Sequence, residues 1–345
     1  MKILFLTHRF YPYIGGIEVN SEILAHAFSE AGHEVRVLTW TLDPGNKPFP
    51  FEVIRSPSRG RLFKEHAWAD IVYENNPCLQ LAWPGLLFNR PGVVALRTWI
   101  ARNGGETGYQ DRLKKLWLRR AVSVIAVSDA VRERCWPRAI VIGNPYRDNL
   151  FTIRPEVLRN RDFIFLGRLV SDKGADQAIR ALSLLVKGDS KFRGLSLTIA
   201  GEGPERQNLE DLTRKLHLED NITFRGAVKG SELADCLNSH KYMLVPSVWE
   251  EPFGNVALEG MACGCIPIVS DGGGLPDAVG RAGLVFPRGD INALADSIKT
   301  VISDPGLELE LRREAISHLE RHRPDVISRR YLDVIEAAAG LKMKV

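Results

Sequence analysis

The chain has 345 residues, more than a single hydrophobic core usually serves, so two domains of ordinary size are expected. Hydrophobic residues make up 45% and charged residues 26%, which excludes a disordered or fibrous chain. With 46 basic against 42 acidic residues the formal charge is only +4, too small and too dispersed to mark a nucleic-acid binder.

The N-terminal "MKILFLTHRFYPY" has an apolar run of about five residues before His8 and Arg9 interrupt it, too short for a signal peptide or a membrane span. It reads as a first strand. In "IEVNSEILAHAFSEAGH", Ile23, Leu24, Ala27, Phe28 and Ala31 recur at helical spacing and Gly32 supplies the stop. The strand "EVRVLTW" completes a βαβ unit. Further strands follow at "DIVYEN", "VVALRTW", "SVIAVS" and "AIVIGN". The segment "NPYRDNLFTIRPEVLRNR" carries prolines and charges without apolar periodicity, which places a linker near residues 145 to 160. A second series runs "DFIFLGRL", "LSLTIAGEG", "ITFRGAV", "KYMLVPS", "CIPIVS" and "AGLVFP", separated by helices such as "ADQAIRALSLLV".

Short β-rich runs alternating with helices are the pattern of parallel sheets wound with crossover helices. The expected architecture is α/β: a domain over 1–155, a second over 156–323, and a closing helix at about 324–340 that packs back on the first. Ligands of such sheets lie outside the carboxyl ends of the strands, so two of them facing each other form a cleft. Cys78, Cys135, Cys236, Cys263 and Cys265 are odd in number and lack a metal-type spacing, which points to reduced, buried thiols and a cytoplasmic protein.

The densest chemistry lies in "PSVWEEPFGNVALEGMACGCIPIVSDGGGLPDAV". A strand ends at Ser247, a proline and glycine turn follows, and a helix starts near Gly254, where exposed amides and the dipole suit a phosphate. Glu251 and Glu259 are eight positions apart, roughly 12 Å along one helix, a span suited to holding hydroxyl groups on either side of a diphosphate. Upstream, "GRLVSDKG" leaves a strand with Gly167 and Arg168, and Lys173 and Gly174 follow within one turn. A bidentate guanidinium and a mobile ammonium there would neutralise a bound and departing diphosphate. "GEGPE" from Gly201 and "FRGAV" through Ala227 and Val228 each end a strand with glycine, allowing close backbone approach.

In this order and spacing, "GRLVSDKG", "GEGPE", "VPSVWEEPFGNVALEGMACGCIPIVSD" and "GLVFPRGD" resemble the family-four, or group 1, retaining glycosyltransferases, whose two-Rossmann-domain architecture is GT-B. The resemblance covers most of residues 162 to 295, and Glu251-x7-Glu259 around Pro-Phe-Gly is its most specific element. It implies that Arg168 and Lys173 bind the donor diphosphate, that Glu259 holds the ribose hydroxyls and that Glu251 touches the donor sugar. It further implies that Phe253, Gly254, Asn255 and Val256 border the phosphate and sugar, and that Ala227 and Val228 lie beside the base. In "HRFYPYIGGIE", Gly15 and Gly16 take the place of the family's glycine pair near the donor phosphates. Many relatives carry a histidine after the fourth N-terminal strand, where this chain reads "VVALRTWIARNGGETG", so Arg97, Trp99, Arg102 and, at the first strand end, His8 are the acceptor-side candidates.

The implied reaction is same-face transfer of a hexosyl unit from a nucleotide-diphosphate sugar, UDP-sugar in preference to GDP-mannose, to a hydroxyl of a glycan, lipid-linked or small-molecule acceptor. Neither a metal nor a cofactor is expected, since the two cations carry the charge and no Asp-x-Asp occurs in a plausible metal loop. Glu250 and Glu251 are adjacent and point to opposite faces, unlike a glycosidase pair. The competing readings are a GT-B-like epimerase or phosphorylase, and a nucleotide-sugar-binding protein without catalysis. A nicotinamide enzyme is disfavoured because eight residues separate Thr7 from Gly16 instead of a G-x-G-x-x-G turn. "DRLKKLWLRRAV" at 111–122 is a basic amphipathic segment and a candidate for peripheral contact with the inner face of a membrane, although its basic and apolar residues do not segregate cleanly, which favours a solvated face.

Overall fold

A computed structural model describes residues 1–13, 15–100 and 108–340. The chain forms two compact units, Met1–Pro145 with Pro324–Val345, and Tyr146–Arg323.

The first unit contains β1 (Lys2–Thr7), α1 (Gly16–Glu30), β2 (Glu34–Thr39), β3 (Glu52–Arg55), α2 (Arg59–Trp68), β4 (Ile71–Asn75), α3 (Leu79–Ala82) with a short 3₁₀ turn at Trp83–Leu86, β5 (Gly92–Leu96), α4 (Tyr109–Leu118), β6 (Ser123–Ala126), α5 (Asp129–Cys135) and β7 (Ile140–Val141). Among the described residues its strands form one seven-stranded parallel sheet in the order β3-β2-β1-β4-β5-β6-β7. Leu4 and Leu6 of β1 point to one face, Ile3 and Phe5 to the other, and both sets are buried, as a sheet covered by helices on both sides requires. Phe5, Phe28 and Tyr73 pack with ring centroids 4.8 to 6.1 Å apart. Edge strand β3 escapes the sequence reading because four residues between turns carry too short a period to register.

The second unit contains β8 (Arg161–Leu166), α6 (Ala175–Gly188), β9 (Leu197–Ala200), α7 (Arg206–Lys215), β10 (Ile222–Arg225), α8 (Gly230–Asn238), β11 (His240–Val245), α9 (Asn255–Ala262), β12 (Ile266–Ser270), α10 (Leu275–Val279), β13 (Leu284–Phe286), α11 (Ile291–Ser303) and α12 (Pro305–Arg321). Its described strands form a six-stranded parallel sheet, β10-β9-β8-β11-β12-β13. The face of α6 formed by Ala178, Ile179, Leu182 and Leu185 joins Leu294, Ile298 and Val301 of α11 in the core.

The last helix, α13 (Pro324–Ala338), buries Ile327, Tyr331, Leu332 and Ile335 in the first unit's core. The division between units falls at Pro145, ten residues before the expected boundary at 155. The segment 146–160 lacks helical or strand periodicity yet is packed on the second unit. Phe151 is buried in its core, the Arg154 amide donates to Asn238 Oδ1 (2.8 Å), and Arg159 Nη2 donates to the Cys263 carbonyl (2.7 Å). Side-chain hydrogen bonds hold it, and these leave no periodic trace in a sequence.

Candidate functional site

In the second unit the strand order reverses between β8 and β11, and at such a point loops on neighbouring strands diverge and leave a crevice at their carboxyl ends. The loop after β8 holds Gly167, Arg168 and Lys173, and the loop after β11 holds Ser247 and Glu251. One atom knits the two together. The Asp172 carbonyl accepts the amides of Val248 (3.0 Å) and Trp249 (3.2 Å) and the Ser247 hydroxyl (3.1 Å). Gly174, at φ +73°, turns the first loop against the Pro246 carbonyl, where a Cβ would overlap backbone.

On this frame Lys173 Nζ pairs with Glu251 Oε1 and lies over the Trp249 ring, 5.5 Å from its centroid. Ser247 Oγ lies 3.1 Å from Glu251 Oε1 as well, so its single proton is shared between that carboxylate and the Asp172 carbonyl. Arg168 is exposed, and its guanidinium forms no ion pair among the described residues, although its loop is fixed by Leu169, whose amide donates to the Glu202 carbonyl (2.9 Å). Glu250 pairs instead with Arg288 (3.2 Å), so the adjacent carboxylates point to different partners, as extended backbone dictates.

The expected helical span between the two glutamates is corrected. Helix α9 begins at Asn255, and Glu251 lies before it in a one-residue parallel bridge to Gly273, its carbonyl accepting the Gly274 amide (2.7 Å). Only Glu259 is helical, so a rise per residue does not measure their separation. Proline at 252 and Gly254 at φ +125° break the backbone between them. The helical ladder opens with the Ala257 amide donating to Gly254 (3.0 Å), and the amides of the first turn project from the helix N-terminus, with Asn255 and Val256 half-buried and Phe253 buried. Glu259 is largely buried, which pushes its carboxyl above the usual range, opposed by the guanidinium of Arg147, whose Nη2 lies 3.2 Å from Oε1. Sequence reading misses Arg147 because it sits in the segment that reads as a linker. It also misses Ser247 and Trp249, although both stand within the motif.

A Cβ on Gly201 would overlap the Gly167 carbonyl, so Gly201 permits two loops to meet. Val228 packs into the core beside β11 while Ala227 is exposed.

In the first unit, Gly15 caps α1 and Gly16 begins it, with the Val19 amide donating to the Gly15 carbonyl (3.0 Å). His8 is exposed at the end of β1. Trp99 is half-buried with the Arg134 guanidinium 4.8 Å above its ring, and Arg102 lies outside the described residues. Arg97 is a correction. It is only 5% exposed, with Nε donating to Asn75 Oδ1 (2.6 Å), Nη1 to Asn144 Oδ1 (2.8 Å) and Nη2 to the Tyr73 hydroxyl (3.3 Å), and its guanidinium lies 4.8 Å from the Tyr331 ring. Its donors are committed to joining β4, β5 and α13, which removes it from the acceptor-side candidates.

The basic segment forms α4 and the turn after it. Leu113, Leu116 and Trp117 line a groove of about 550 Å³ with Leu79, Trp83 and Leu86, and Arg119 and Arg120 border the same groove. Leu86 and Leu116 remain 54% and 58% exposed. Among the described residues Arg112, Lys114, Lys115 and Arg119 form no ion pair. Below the groove, Trp117 Nε1 donates to Glu74 Oε1 (2.7 Å), and burial pushes that carboxyl up to about 7. No helix among the described residues is long and apolar enough to cross a membrane. All five cysteines are buried and unpaired.

Residues 147–318, all within the second unit, match the family model "Glycosyl transferases group 1". The chain is 28% identical over 234 residues, 66% of its length, to glycogen synthase from Mycobacterium tuberculosis, of which that match covers 52%. It thus spans about half the length of the curated relatives it matches. Its fold is similar to that of Anabaena Alr3699/HepE solved in complex with UDP (TM-score 0.82, 22% identity, 98% of this chain and 100% of that one). It is similar also to sucrose-phosphate synthase from Thermosynechococcus elongatus (TM-score 0.78, 22% identity, 97% and 98%). At these identities the likeness establishes the fold, two Rossmann-like domains of the GT-B type.

Proposed function

We propose, from the premise that this chain belongs to the group 1 glycosyltransferases, that it transfers a hexosyl unit from a nucleotide-diphosphate sugar to an acceptor hydroxyl with retention of configuration and without a metal or cofactor. The carrying observation is the cluster at the carboxyl ends of β8 and β11: exposed Arg168, Lys173 on Glu251, and the start of α9, all within one unit. Two cations and a helix N-terminus supply positive potential for a diphosphate, and two carboxylates supply acceptors for hydroxyl groups. In the proposed step the bond from the anomeric carbon to the diphosphate oxygen breaks while a bond to the acceptor oxygen forms on the same face. The acceptor proton passes to the departing diphosphate, and Arg168 and Lys173 stabilise the charge that develops there. Lys173 is released from Glu251 when the phosphate competes for it, which frees Glu251 for the sugar.

UDP-sugar is the preferred donor, a choice supported by the UDP complex of the similar Anabaena protein. Acceptors of the glycan, lipid-linked and small-molecule classes all suit the proposal. The exposed leucines of α4 and its cations, which form no ion pair among the described residues, support peripheral contact with anionic lipid, which fits work at the cytoplasmic face of a membrane.

The test is a thermal-shift panel of UDP, GDP, ADP and their sugars, with and without EDTA. Ligand that binds the folded state raises the melting temperature by mass action. A shift from one nucleotide class, indifferent to EDTA and lost in Arg168→Ala and Glu259→Ala, is the expected result. No shift with any nucleotide would refute the donor site.

A further inference from the structure

Arg147 reaches the site from the non-periodic segment that opens the second unit, 112 positions before the glutamate it meets. Its backbone is fixed on both sides. The Tyr146 amide donates to the His322 carbonyl (3.3 Å), and the Arg147 carbonyl accepts the amides of Leu150 (3.1 Å) and Phe151 (2.8 Å). Its guanidinium lies 4.8 Å from the ring of Phe151, which is buried in the core. The side chain therefore has little freedom, and its Nη2 is delivered to Glu259 Oε1 at 3.2 Å, with the pair 30% and 18% exposed. An exposed pair of this kind contributes little, but a half-buried guanidinium anchored by a turn and an aromatic face loses less entropy on pairing. The contact occupies one carboxylate oxygen, and among the described residues no hydrogen bond engages Oε2.

We propose that Arg147 is the positioning residue for Glu259, holding its carboxylate ionised and turned so that it can accept the vicinal hydroxyls of the nucleoside ribose. The inference rests on the reading that Glu259 receives those hydroxyls. A diol offers two O–H donors, and a carboxylate meets both only when it is ionised; protonated, it presents a donor of its own to one of them. Burial on α9 works against ionisation, and Arg147 is the cation that opposes it. Arg147 thus acts on nucleotide recognition through Glu259, without reaching the sugar being transferred.

The experiment measures dissociation constants of UDP, GDP and ADP and of their 2′-deoxy counterparts for the full chain and for Arg147→Met, Arg147→Lys, Glu259→Gln and the Arg147→Met/Glu259→Gln double variant. Melting curves establish that each variant is folded. Arg147→Met is expected to weaken the bound ribonucleotide about tenfold or more, the scale of a charge-assisted hydrogen bond. It should weaken the 2′-deoxy counterpart less, while Arg147→Lys keeps most of the affinity. In the Glu259→Gln background Arg147→Met should add less than about twofold, because coupled residues are not additive. Arg147→Met with wild-type affinity, or a loss equally large for the deoxynucleotide and in the Glu259→Gln background, overturns the positioning role while the donor site stands. Glu259→Gln with wild-type affinity for every nucleotide overturns the site reading and this inference with it.

Discussion

Replacing Gly174 by alanine isolates the joint between the two site loops. Gly174 lies at φ +73°, and a Cβ placed there overlaps the Pro246 carbonyl oxygen and sits 2.8 Å from its carbon. The left-handed conformation costs an alanine about 1–2 kcal/mol, and a rigid backbone carbonyl must then move, at a further 1–2 kcal/mol or so, the scale of local backbone strain. A destabilisation of about 3 kcal/mol lowers the melting temperature of a unit this size by roughly 6–12 °C. Because Asp172 and Lys173 precede the joint and Ser247 follows Pro246, the displaced backbone carries the Lys173 and Glu251 pair with it, so the thermal shift produced by UDP should shrink as well. Gly188→Ala is the control. Gly188 ends α6, and nothing lies within 4 Å of where its Cβ would stand, so alanine there should be neutral or stabilising by up to about 1 kcal/mol. Both variants are followed by differential scanning calorimetry with and without UDP. If Gly174→Ala melts with Gly188→Ala, the close approach has no energetic weight and the strain reasoning is refuted.

Arg97→Met should destabilise the first unit by about 2–4 kcal/mol, since it removes the buried guanidinium that donates to Asn75, Asn144 and Tyr73; a variant that folds normally but loses turnover would restore Arg97 to the acceptor side. Glu74 titrates near 7 in the folded state against 4.5 ordinarily, so the folded protein keeps a proton that the unfolded chain releases. Its contribution is therefore present below pH 4.5 and lost as pH rises through 7, up to about 3 kcal/mol. Glu74→Gln should remove that part of the pH dependence in denaturant melts at about pH 5 and pH 8, and unchanged curves would exclude Glu74 as its source. Sedimentation with anionic vesicles should fall in Leu113→Ser/Leu116→Ser and with added salt, whereas retention of binding in that variant would remove α4 as the contact.

Much of this protein was legible from local pattern alone. Short β-rich runs alternating with helices announce two parallel sheets, and Arg168, Lys173 and Glu251 stand in loops at strand ends that a parallel sheet exposes together, with Glu259 on the helix that follows. Those features depend on residues near one another in the chain, where spacing translates directly into geometry. Tertiary structure alone decided what each charge meets. It placed Glu251 in a bridge to Gly273 instead of on α9, committed Arg97 to Asn75, Asn144 and Tyr73, and brought Arg147 to Glu259 across 112 positions. It also brought Leu113, Leu116 and Trp117 to one groove with Leu79, Trp83 and Leu86, bordered by Arg119 and Arg120. Side-chain pairing over long separations carries no periodicity, because it is set by where whole elements pack, and only the folded chain contains that information.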